Sequence, residues 1–133
     1  MSDDLAYLSA HVPAYGGYAD EADRHDTDMR VRAFVGEKVT EALARLQGAL
    51  SPEASAAGDR TLLQCMFTDQ TFIRRIEHAR LDDGAMTALV AADRRLIESA
   101  SAAETVDAAG FEPLLAAIDR QFELRYEPLP ATI

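Results

Sequence analysis

The 133-residue chain has one cysteine, seven glycines and five prolines. Cys65 alone excludes an intramolecular disulfide and a cysteine-built zinc site. So little glycine and proline excludes a collagen-like or low-complexity chain. Basic residues are also few: 13 Lys and Arg face 23 Asp and Glu, for a formal charge of -10. Such a balance repels phosphate backbones and anionic lipid, so nucleic acid and membrane surfaces are not expected partners. No apolar run approaches the ~20 residues of a membrane span. The start Met1-Ser2-Asp3-Asp4 lacks the basic and apolar regions of a secretory leader, so a cytoplasmic location is expected. Strand-type runs of β-branched and aromatic residues are scarce, which leaves little room for a sheet.

What is present is helical. Twenty-five residues are alanine, the best helix former. Beyond residue 26 the apolar residues recur at three- and four-residue steps. The pattern predicts an all-α fold, an antiparallel bundle of four main helices with one or two short helical turns. Residues 1–26 read as an irregular N-terminal acidic arm and 27–133 as a single helical domain. Pro13 and Gly16-Gly17 break any regular pattern in the arm, and Tyr15 and Tyr18 could pin it to the domain.

The four helices are expected near residues 28–50, 60–82, 84–99 and 111–126. Asp26 or Thr27 would cap the first. Val31, Phe34, Val35, Val39, Leu43 and Leu46 form its stripe. Ser51-Pro52 would start a short turn closed by Gly58, with Asp59 capping the second helix. That helix is apolar over most of its circumference, so it is expected to be central and the most buried, with Leu62, Met66, Ile73 and Ile76 nearly inaccessible. Ser101 to Glu104 matches a capping box, with Gly110 ending the short helix it opens.

Few constellations suggest chemistry. Asp20, Glu21, Asp23 and His25, with Asp26 and Asp28, could offer ligands to a cation, but the spacing fits no calcium loop. A solvated, helix-capping charge run explains them better. No nucleophile elbow, phosphate loop or dinucleotide glycine pattern occurs, so no catalytic residue and no cofactor is expected. Cys65 reads as a buried, inert thiol. On helical wheels Asp69 and Arg80 fall inside the apolar arc of 60–82, and Asp93 inside that of 84–99. Buried charges are costly unless paired. These three are therefore the candidate ligand-binding residues, although a structural Arg80–Asp93 pair accounts for them more simply.

The function these features favour is a non-enzymatic helical protein-interaction module. Surplus apolar surface on 60–82 would be covered by a second copy, as a homodimer, or by a partner protein. The alternative is a small-molecule-binding protein, or an enzyme without a familiar motif, with a polar pocket between 60–82 and 84–99.

Overall fold

Ser2 opens the first helix, its hydroxyl accepting the Leu5 N–H at 3.2 Å, and Asp3 and Asp4 in the first turn suit the positive end of the dipole. The computed structural model describes residues 2–67 and 69–130, which are all-α and contain no strand. Helix α1 spans Asp3–His11, α2 Glu21–Leu46, α3 Pro52–Met66, α4 Gln70–Glu77, α5 Asp83–Ser101 and α6 Ala108–Leu124. A 3-10 turn over Ala102–Glu104 joins the last two. Four helices are long and two are short. No helix among the described residues is long and apolar enough to cross a membrane.

The N-terminal region is more ordered than its composition suggests. The arm expected to be irregular contains α1, and its acidic stretch forms the first turns of α2, capped by Asp20 rather than Asp26 or Thr27. Residues 12–20 form a strap between these helices. Val12, Tyr15, Gly17 and Tyr18 are buried along it. Gly17 takes a positive φ of 71°, a conformation open to glycine, and its carbonyl accepts the Thr27 hydroxyl at 2.8 Å.

Helix α2, not the 60–82 segment, is the central element. It packs against α3, α4, α5 and the 3-10 turn. Its stripe of Val31, Val35, Val39 and Ala42 is wholly buried, as the period of that segment implies.

The expected 60–82 helix does not exist as one unit. Helix α3 starts at its Ser51 cap, runs through Gly58 and Asp59, and ends at Met66. Two caps explain the break, one tertiary and one local. The Arg32 guanidinium from α2 donates to the free carbonyls of Gln64 at 2.5 Å and Phe67 at 3.5 Å. Asp69 then caps α4, its Oδ1 accepting the N–H groups of Thr71 and Phe72. Consequently Ile73 and Ile76 are buried as expected, whereas Leu62 is only half-buried and Met66 is exposed. Past Asp69 the apolar stripe no longer continues that of α3.

Two further boundaries differ. Helix α5 continues through Ser101, whose side chain makes no cap bond. Gly110 lies in the first turn of α6, where its N–H is held by the Asp107 cap at 2.8 Å. The core has two parts. One gathers Val31, Val35, Leu96, Ile97, Phe111 and Ile118; the other gathers Tyr18, Phe72, Ile76, Leu81, Leu89 and Leu129.

Candidate functional site

Along α2, Arg24, Asp28 and Arg32 recur every fourth residue and are buried beside Val31 and Val35. Buried charges at that spacing need partners, and other elements bring them. Asp28 Oδ2 accepts from Arg32 Nε at 2.9 Å. Arg125, immediately after α6, donates from Nε to Asp93 Oδ1 at 2.9 Å and from Nη2 to the Tyr18 hydroxyl at 3.2 Å. Its Nη1 stands 2.9 Å from Asp28 Oδ1, an ion-pair distance whose direction falls short of a hydrogen bond. Tyr15 and Tyr18 donate their hydroxyls to Asp93 Oδ2 at 2.8 and 2.5 Å. Tyr15 belongs to one core and Tyr18 to the other, so the cluster sits where the two meet.

Asp28 and Asp93 balance Arg32 and Arg125 in charge, while the third buried guanidinium, Arg24, donates to the carbonyls of Tyr18, Ile76 and Ala79. Burial pushes the Asp93 carboxyl up, opposed by the Arg125 charge and by the two tyrosine hydroxyls. Burial, reinforced by the Asp93 charge, likewise holds both phenols well above the ordinary tyrosine value. The phenols stay protonated as donors; both oxygens of Asp93 accept hydrogen bonds, as does Asp28 Oδ2, while Asp28 Oδ1 faces Arg125 without one. A small hollow of about 120 Å³ beside Arg32, Phe72, Arg125 and Tyr126 faces cations that are already paired. The arrangement fastens the strap, α2, α5 and α6 together; it offers no free base or nucleophile.

The three residues singled out from sequence are not brought together. Asp93 is buried and paired, but with Arg125. Arg80 is exposed, because α4 ends at Glu77 and the chain around residue 80 no longer follows the helical wheel. It makes no ion pair among the described residues. Asp69 caps α4 and accepts the Tyr126 hydroxyl. Sequence reasoning missed Arg32 and Arg125. The four-residue step of Arg24, Asp28 and Arg32 alongside the valine stripe was the available signal.

The acidic candidates are spread over successive turns of α2. Asp20 caps the helix, Glu21 stands 4.0 Å from Arg24, and His25 stands 3.3 Å from Glu77. Among the described residues no three His, Cys, Asp or Glu side chains converge on a metal position. Cys65 is buried, and burial pushes its thiol up to about 12.

Between α2 and α3 the surface has an open, mainly apolar hollow. Helices α2 and α3 approach closely at Gly36, where an added Cβ would stand 3.3 Å from Cys65 Cβ. They approach again at Gly58, where it would stand 2.7 Å from Leu43 Cδ2. Small residues on α2 (Ala33, Gly36 and Thr40) leave a valley above this contact, with a volume of about 390 Å³. Leu62, Cys65 and Met66 form its α3 side. Met29 at 52% and Met66 at 72% exposure line it, and Leu63 at 53% and Phe67 at 65% are exposed next to Met66 along the chain. Among the described residues these are the exposed large apolar side chains: Met29 in the third turn of α2, Leu63 and Met66 in the last turn of α3, and Phe67 just beyond it.

An all-α domain closed by a buried ionic cluster, with one apolar valley between two helices, is the class the geometry defines. Comparison with protein-family models, with curated proteins and with solved structures finds no match.

Proposed function

We propose that this chain is a non-enzymatic interaction module that receives an apolar helical segment of a partner protein in the valley between α2 and α3. The observation that carries this reading is that Met29 and Met66, both more than half exposed, line that valley, with exposed Leu63 and Phe67 beside Met66 along the chain. Clustered exposed side chains of this size mark binding surfaces, whereas scattered ones do not. Methionine suits such a surface because its unbranched thioether adapts to different contours. Two helices separated by small residues offer the lane that a third helix fills, with anchors at i, i+3/i+4 and i+7. The buried charges Asp28, Arg32, Asp93 and Arg125 pair with one another, which favours a binding role over a catalytic one. The homodimer expected from the sequence is the competing occupancy of the same surface.

The test uses a fluorescent helical peptide with leucine anchors at i, i+4 and i+7 and glutamine flanks. Binding measured by anisotropy should be lost in Met66→Glu and in Met29→Glu while thermal unfolding stays unchanged, since both side chains are exposed. Absence of binding, or binding that both variants retain, rejects the reading. A dimer seen by sedimentation and dissolved by Met66→Glu would make a second copy the occupant instead.

A further inference from the structure

We infer that the helix received by the α2–α3 valley is basic along its flanks, with lysine or arginine on both sides of its apolar face. This rests on the docking reading above and specifies the partner's chemistry.

The argument is which charges around the valley are free. The cations of α2 are all engaged within the chain. Arg24 holds the carbonyls of Tyr18, Ile76 and Ala79, and Arg30 holds Asp26 at 2.7 Å. Arg32 holds Asp28 and the end of α3, and Lys38 meets Glu104 at 2.9 Å. Arg45 donates to the carbonyls of Ala103 and Val106. On α3, Arg60 is exposed, and its charge acts on Asp119 of α6. The carboxylates beside the valley are not so engaged. Glu37 is exposed, sits one turn beyond Ala33, borders the adjoining hollow with it, and has no ion pair among the described residues. Asp59 is exposed one turn before Leu62 and Leu63 and likewise has none. Glu37 and Asp59 therefore flank the valley one helical turn from its lining residues Ala33 and Leu62, while Arg32, which lines it, is held by Asp28.

Charge complementarity then selects among occupants. A second copy would bring the Glu37 and Asp59 edges against their equals, on a chain already at -10. Like charges across an interface discriminate strongly against that pairing. A basic amphipathic helix meets both edges with opposite charge, and the net charge of the chain raises its rate of encounter. Length fits as well. From Met29 to Thr40 the valley follows twelve residues of α2, eleven steps that at ~1.5 Å each make about 16 Å, or three turns of a docked helix.

Three peptides with one apolar face and lysine, glutamine or glutamate flanks provide the experiment, read by anisotropy against the intact chain. The lysine peptide should bind about tenfold more tightly than the glutamine peptide at low salt. Its advantage should vanish near 1 M salt, where the Debye length falls to ~3 Å. In the double variant Glu37→Lys, Asp59→Lys the preference should reverse toward the glutamate peptide, with binding of the glutamine peptide retained. Equal binding of lysine and glutamine peptides overturns the inference and leaves the docking reading standing. A lysine preference that survives the double variant overturns it too, because net charge rather than these edges would then be responsible. If none of the three binds, the docking reading falls and the inference with it.

Discussion

Arg125 and Asp93 meet at 2.9 Å with neither side chain reaching solvent, which ties the end of α6 to the middle of α5. The pair lies inside a larger set. Asp93 also receives the hydroxyls of Tyr15 and Tyr18, and Arg125 also faces Asp28 on α2. Removal of one member leaves the others charged, buried and short of a partner. That asymmetry makes such a pair costly to break even where the intact pair adds little net stability.

Arg125→Met should therefore cost about 3–5 kcal/mol in urea unfolding, because Asp93 and Asp28 lose their shared cation. Arg80→Met, at an exposed position, should change stability by no more than about 0.5 kcal/mol. A loss at Arg125 below about 1 kcal/mol would show that the cluster relaxes around the gap.

Alkaline stability provides a second check. Tyr15, Tyr18 and Tyr126 are each pushed above the ordinary value of 10.0, with burial the leading cause in each. A phenol that stays protonated only in the folded chain contributes in full below pH 10. Above it the unfolded chain releases a proton that the folded chain retains, so stability falls as pH rises. Urea midpoints should decline steeply beyond pH 10, and less steeply in the double variant Tyr15→Phe, Tyr18→Phe. Phenolate absorbance that shows all four tyrosines ionising near pH 10 without unfolding would contradict the geometry.

The break between α3 and α4 predicts unequal costs on its two sides. Ile73→Ala and Ile76→Ala should each lose about 2–5 kcal/mol, because both side chains are buried in the second core. Met66→Ala, at 72% exposure, should stay within about 0.5 kcal/mol. Denaturant unfolding of the three variants makes the comparison. A large loss at Met66 would mean that the valley is filled by its own side chains.

The stripe of Val31, Val35 and Val39 was legible because a repeating period survives any tertiary arrangement. The valley was only half legible. Excess apolar surface on residues 60–82 signalled an unpartnered face, but a single wheel through that segment placed Leu62 and Met66 in the core. The wheel also placed Arg80 beside Asp93, which the end of α4 at Glu77 prevents.

Sequence alone determined the helical class, the net negative charge and the lack of an intramolecular disulfide, since propensity, charge and thiol count are properties of residues taken singly or within a turn or two. Tertiary structure decided where the long helix breaks and which charges pair. Arg32 can end α3 only because α2 carries it there, and Gln64 and Phe67 lie more than thirty residues away from it along the chain. Arg125 can answer Asp93 only once α5 and α6 have packed. Burial turns such contacts into requirements, because a guanidinium or carboxylate removed from water must find its partner wherever the fold has brought one.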